Sequence, residues 1–310
     1  MAELQAFLQE AKVDPKVIGH ITKALPHKSV ADFAKGWTSA NFEQGMQNDI
    51  VAKTGLSGME AKLQVSRLRA AWKAASSKTG SGGKEFPSIK FTYFTVEGGG
   101  ECIRLAFALG GVPYIDDRID MATQWKDMKP TTPFGQLPVM TVDGSKQIAQ
   151  SQGMLRLACK LAGLIPEDPV EFLKAEEVVG LSWDMVDAIT PSMQLDRRPY
   201  LYGCEGLPLE QLTKKAVEMR EKLSAPDGEI NRFLGYLDGL LAKNGTGWFV
   251  GNKPSLAECE MIPRLRSLRK GNRDGFPKTI VDKHKNLMKM YWAFHELPAI
   301  KAHYKGVPPY

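Results

Sequence analysis

The chain has little cysteine, and what it has is spaced wrongly for several classes of protein. Its 310 residues include four cysteines, Cys102, Cys159, Cys204 and Cys259, with no Cys-x-x-Cys pair. That spacing supports neither a structural zinc site nor a dithiol redox motif, so no metal is expected. Reduced thiols in a cytoplasmic setting are the expectation. Long apolar runs are missing too: none approaches the roughly 18 residues a membrane span needs. The opening Met-Ala-Glu-Leu-Gln lacks the basic and apolar regions of a secretory signal. A soluble, cytoplasmic protein with no membrane partner is expected. With 43% hydrophobic residues the chain can bury ordinary cores, and its length suits two domains or slightly more. Charge is mildly basic, formally +6, and unevenly spread. Residues 1–85 carry 12 Lys+Arg against 8 Asp+Glu, a net of +4 that leaves only +2 for the rest.

The stretch Ser76-Ser77-Lys78-Thr79-Gly80-Ser81-Gly82-Gly83-Lys84 offers nothing apolar to bury. It reads as an interdomain linker over 76–85 with a coil reach of about 15–18 Å. Before it, Leu4-Phe7-Leu8-Ala11, Val17-Ile18-Ile21-Leu25, Val30-Phe33-Ala34-Trp37 and Leu63-Val65-Leu68-Ala71-Trp72 recur at helical spacing. Asp14-Pro15, Pro26 and Gly55-Leu56-Ser57-Gly58 punctuate them, which predicts a small all-α domain over 1–75. Asp14 and Pro15 suit the N-cap and first position of a helix. The basic residues Lys62, Arg67, Arg69 and Lys73 form either a solvated helix face or a surface for an acidic protein or nucleic-acid partner.

After the linker the pattern becomes strand and helix alternation. Ile89-Lys90-Phe91-Thr92-Tyr93-Phe94 reads as a strand, broken by Glu97-Gly98-Gly99-Gly100, with Ile103-Leu105-Ala106-Leu109 at helical spacing. Residues 114–119, 137–142 and 146–150 read as further strands, the last two joined by an Asp143-Gly144 turn. Ser151 is expected to cap a helix that ends at Gly163. This is a thioredoxin-like α/β arrangement over 86–165. From Asp168 onward only helical patterns occur, giving an all-α domain over 168–306.

Three elements of the α/β region carry chemistry. Pro138 sits just ahead of a buried strand, where it is either a trans strand starter or a cis turn that exposes the backbone of Leu137 to a peptide-like ligand. Gln150-Ser151 opens a helix, where Ser151 is either a plain cap or part of a carboxylate site at the positive end of the dipole. Tyr93, near the end of its strand, is either core packing or a hydroxyl that hydrogen-bonds a sulfur and favours thiolate over thiol.

In order and spacing, Tyr93, Phe134-Gly135-Gln136-Leu137-Pro138-Val139 and Gln150-Ser151 resemble the glutathione-binding half of the glutathione transferase family. Phe91-Thr92-Tyr93-Phe94 is most similar to the sigma class. The resemblance implies that Tyr93 is catalytic and that Gln150 and Ser151 hold the γ-glutamyl end of glutathione. It also implies that Gln136, Leu137 and Pro138 form the peptide-binding turn, and that Trp125 and Lys129 bind the glycine end. Gly251-Asn252-Lys253-Pro254-Ser255-Leu256-Ala257-Glu258 resembles the family's buried capping box, with Ser255 and Glu258 as its pair. Leu297-Pro298-Ala299-Ile300 resembles the start of its final helix. The match spans about residues 88–305.

The resemblance further implies glutathione as co-substrate, a small hydrophobic electrophile or a peroxide as second substrate, and a homodimer. In that dimer Asp184, in Trp183-Asp184-Met185, reaches the glutathione of the opposite subunit. One departure is Glu97-Gly98-Gly99-Gly100, which stands where sigma-like enzymes often carry a basic residue. A positive charge near the thiol is thereby lost and a negative one added. The alternative reading is a non-catalytic scaffold that displays the basic amino-terminal helices.

Overall fold

The computed structural model describes residues 2–24, 29–35, 46, 51–78 and 86–310. Pro26, Trp37 and residues 79–85 of the expected linker lie outside the described residues. The chain clusters into two compact units. One holds Met1–Lys90, Pro113–Ile115 and Thr141–Lys146, and the other Phe91–Val112, Asp116–Met140 and Gln147–Tyr310.

The first unit contains α1 (Ala2–Glu10), α2 (Pro15–Ala24), α3 (Val30–Lys35) and α4 (Gly58–Lys78). Their apolar stripes meet in one core that includes Leu4, Leu8, Val17, Ile21, Phe33, Leu68 and Trp72. The Asp14 carboxylate accepts from the Lys16 amide at 2.8 Å ahead of Pro15, and Ser29 and Asp32 cap each other's backbone amides at the start of α3. α4 runs through Lys78, past the expected boundary at 75, because serine and lysine cost a helix little. On the expected basic face, Arg67 donates to the Lys12 carbonyl at 2.7 Å and so helps close the end of α1.

The second unit continues through α5 (Glu101–Gly110), α6 (Trp125–Met128), α7 (Ser151–Ala162) and α8 (Pro169–Gln194). α9 (Leu209–Ser224), α10 (Glu229–Asn244), α11 (Leu256–Arg269), α12 (Lys285–Glu296) and α13 (Pro298–His303) complete it. The strands are β1 (Ile89–Phe94), β2 (Ile115–Ile119), β3 (Val139–Val142) and β4 (Ile148–Ala149), in the order β2-β1-β3-β4. β3 and β4 pair antiparallel, with Val139 opposite Ala149. Asp143 and Gly144 turn between them with φ of 48° and 73°. Beyond Asp168 the described residues carry helices only. Asp168 itself caps α8 by accepting from the Val170 and Glu171 amides, each at 2.9 Å.

Two expectations need correction. β4 has two residues rather than five: it starts only at Ile148, and Gln150, with a φ of 81°, does not continue the pleat. Ser151 is not a cap: it is the first residue of α7, Gln150 occupies the N-cap position, and no side-chain cap hydrogen bond forms.

The core of the helical region draws on α8, α10, α11 and α12, through Ala175, Leu234, Met261, Leu265, Met290 and Phe294. Ser255 and Glu258 form a reciprocal capping box at the start of α11. Glu258 accepts from the Ser255 and Phe249 amides, each at 2.7 Å. Burial pushes its carboxyl above the usual range while those bonds pull the other way.

Candidate functional site

Tyr93 is half-buried at the penultimate position of β1, and the following turn is moulded around its ring. A Cβ on Gly98 would come within 2.7 Å of the Tyr93 oxygen, and one on Gly100 within 2.5 Å of its Cδ1. Gly98 and Gly100 therefore let backbone approach an aromatic ring where no side chain fits, while Gly99 has room for one. The approach makes a bond: the Gly99 amide donates to the Tyr93 oxygen at 3.1 Å. With a lone pair so occupied, the hydroxyl keeps its own proton for another acceptor. Burial raises the phenol above its ordinary value, opposed by the Gly99 bond and the charges of Arg104 and Arg264. Tyr93 is thus a neutral donor at physiological pH.

Arg104 belongs to none of the sequence motifs, yet it organises this end of the sheet. It is fully buried, with Nε 3.1 Å from Asp116 and Nη1 3.3 Å from Glu101. It also donates to the carbonyls of Val96 at 3.0 Å and Phe94 at 3.1 Å. Its guanidinium lies 5.7 Å from the Tyr93 ring centroid. One side chain thereby ties the end of β1 to β2 and to the first turn of α5. The available signal is a lone cation in the otherwise apolar run Cys102-Ile103-Arg104-Leu105-Ala106-Phe107.

Glu97 does not act as the free negative charge expected of it. Arg266 grips it with two hydrogen bonds of 3.0 Å, the bidentate geometry that suits guanidinium and carboxylate. Arg266 also faces His295 Nε2 at 3.0 Å and donates to the Pro308 carbonyl at 3.3 Å. Next to it, Arg269 donates to the Tyr310 carbonyl at 3.0 Å and the Tyr291 hydroxyl to that of Pro309.

His295 is only 7% exposed, and burial together with Arg266 pulls its pKa down to about 4, against the pull of Tyr291 and Glu97. A depressed histidine stabilises the fold fully above its unfolded value of about 6.5, and that stability is lost as pH falls toward 4. The loss should be on the order of 3 kcal/mol. Thermal melts of His295→Gln and the parent between pH 7 and 4 check this. The parent should lose stability more steeply, and parallel slopes would reject the assignment.

Two cavities lie beside the chain neighbours of Tyr93, one at Phe94 and the other at Gly98 and Gly99, and Tyr93 itself lines neither. One of about 380 Å³ is lined by Phe94, Trp125, Lys129, Gln136, Leu137 and Arg198, with Gln194 and Arg197 alongside. Trp125 packs edge-on to Phe94 at 5.4 Å, and the Leu137–Pro138 bond is cis. The other, of about 400 Å³, has Gly98 and Gly99 on its wall opposite Met185, Ile189 and Met193 of α8. Four of the expected site residues, Trp125, Lys129, Gln136 and Leu137, thus share one cavity. Pro138 is buried behind. Gln150 and Ser151 lie at the start of α7, and Asp184 is exposed on α8; these three line neither cavity. Arg197 and Arg198 are unanticipated additions, although an arginine pair just past a long helix is visible in Leu195-Asp196-Arg197-Arg198-Pro199.

Behind Ser151, the fully buried Glu260 accepts from Ser182 of α8 at 3.1 Å, Gln152 of α7 at 3.3 Å and Arg264 at 2.8 Å. The cysteines are free and buried, and burial pushes the Cys102 thiol well up, so it is no nucleophile.

Comparison with known proteins divides the chain in two. A family described as Luciferase/LBP N-terminal domain matches residues 1–76, and one described as Glutathione S-transferase, C-terminal domain, matches residues 209–306. Glutathione S-transferase 4 of Caenorhabditis elegans is 30% identical over 218 residues, which covers 69% of this chain and 94% of that protein. Dinoflagellate luciferase of Lingulodinium polyedra is 43% identical over 83 residues, 25% of this chain but 7% of that protein. Among solved structures, a glutathione S-transferase from Ascaris lumbricoides superposes with a TM-score of 0.56 at 30% identity, covering 72% of this chain and all of that one.

Proposed function

This chain belongs to the glutathione transferase family, and on that premise we propose that it conjugates glutathione to small hydrophobic electrophiles with Tyr93 activating the thiol. The observation that carries this reading is the Tyr93 hydroxyl, which accepts from Gly99 and retains its proton for a ligand. A hydrogen bond to a thiolate favours the charged form and lowers the thiol pKa, and the thiolate is the attacking species. In conjugation to an aryl halide, the carbon–sulfur bond forms and the halide leaves with its electron pair.

Trp125 and Lys129 take the glycine end of glutathione, where Arg197 and Arg198 add charge for its carboxylate. Gln136, Leu137 and Pro138 present backbone groups to the cysteinyl part, and Gln150 and Ser151 hold the γ-glutamyl carboxylate. The electrophile occupies the cavity against α8. In this reading the enzyme needs no metal, works in the cytoplasm, and dimerises so that Asp184 reaches the partner's glutathione. Residues 1–75 form a separate helical domain that contributes nothing to the chemistry.

The deciding experiment is capture on immobilised glutathione followed by conjugation to 1-chloro-2,4-dinitrobenzene. Retention on the resin without turnover would leave a glutathione-binding scaffold and sink the catalytic reading.

Ser151→Ala tests the carboxylate contact separately. Because Ser151 makes no cap bond, the substitution should leave the melting temperature nearly unchanged. Loss of a hydrogen bond to a charged group should cost about 1.5–3 kcal/mol of glutathione affinity. Calorimetry reads both, and unaltered affinity would remove Ser151 from the site.

A further inference from the structure

The cavity against α8 has walls of two kinds. Met185, Ile189 and Met193 make one apolar, while Arg264, Lys270 and Arg273 line the other. Arg264 is committed to Glu260 at 2.8 Å, and the cavity's one acidic side chain, Glu97, is held by Arg266. Lys270 and Arg273 therefore face the cavity with no acidic partner among the described residues.

Arg273 is half-buried and anchored by a 2.6 Å bond from Nη1 to Ser267 Oγ. Burial and the like charges of Arg220 and Arg264 push its pKa down, so its surroundings disfavour the cation it carries. A desolvated cation repelled by two others is costly until an anion joins it. Guanidinium, planar and weakly hydrated, is the side chain best suited to take a carboxylate there.

We propose that the second substrate is an apolar electrophile that carries a carboxylate, its hydrocarbon against α8 and its anion at Arg273 and Lys270. This rests on the transferase reading and specifies its substrate class. A neutral electrophile would fill the apolar wall and leave Arg273 with only its bond to Ser267 and Lys270 with only the Tyr310 ring, 5.4 Å away.

The test uses ethacrynic acid, a carboxylate-bearing enone, and its methyl ester. For both, the thiolate adds to the terminal methylene carbon and the resulting enolate takes a proton at its α-carbon, so they differ only in the anion. At saturating glutathione the enzyme should show a lower KM for the acid than for the ester. Arg273→Gln should shift the acid-to-ester KM ratio by about five-fold or more, and Arg273→Lys should recover part of that shift. An unmoved ratio, or both KM values rising in parallel, overturns the proposal while leaving the transferase reading intact. Displacement of bound 8-anilinonaphthalene-1-sulfonate by the acid and the ester, followed by fluorescence without glutathione, reads the anion preference without turnover. If neither enone is conjugated but the acid displaces the dye better in an Arg273-dependent way, the transferase reading fails and the anion site stands. Equal displacement by acid and ester counts against the anion site whatever the turnover.

Discussion

Tyr93→Phe should lower the conjugation rate by ten-fold or more, about 1.4 kcal/mol or above in barrier, while glutathione affinity stays within a few-fold. The substitution keeps the ring and its packing against Phe91 and Phe94, at centroid distances of 6.4 and 5.4 Å. Only the hydroxyl goes, and with it the group proposed to stabilise the thiolate. Most contacts to the tripeptide lie elsewhere, so binding persists. The thiol pKa of bound glutathione, followed by thiolate absorbance against pH, should rise in the variant. A rate equal to the parent's would dismiss Tyr93 from the chemistry.

Arg104→Met should cause the largest loss of stability. Methionine fills comparable length but leaves the Glu101 carboxylate, 2% exposed, with one fewer cation, and strips donors from the Phe94 and Val96 carbonyls. Removing one member of a buried ion pair costs about 3–5 kcal/mol. At about 2–4 °C per kcal/mol for a domain of this size, the melting temperature should fall by roughly 6–20 °C. The conjugation rate measured well below the melt should fall too, because Tyr93 loses a cation 5.7 Å from its ring. A melting shift under about 2 °C would mean that the network relaxes without cost, against the expectation for an uncompensated buried charge.

Local chemistry makes much of this molecule legible from its residues. The β-branched and aromatic run 89–94 is β1 at both ends, Asp143-Gly144 turns between β3 and β4, and Gly163 ends α7 in the left-handed region with a φ of 73°. Each depends on near neighbours. The features that escape a sequence reading depend on groups far apart in the chain. Glu97 reads as a liability because its partner, Arg266, lies 169 residues away. The cap expected at Ser151 is displaced by one position, because nothing local announces the left-handed Gln150. Arg104 is hidden by its setting, since an apolar helix face discourages looking for a charge at its centre. The lining of the cavity against α8 comes from three separated stretches, and only folding makes its two-faced character visible.

Pro308, Pro309 and Tyr310 offer their carbonyls to Arg266, Tyr291 and Arg269, and Arg266 is the residue that grips Glu97 beside the glycine turn. Changes at Pro308, Pro309 or Tyr310 should therefore reach, through Arg266, the Glu97 end of the turn beside Tyr93. Activity should be compared only between preparations in which Pro308, Pro309 and Tyr310 are intact.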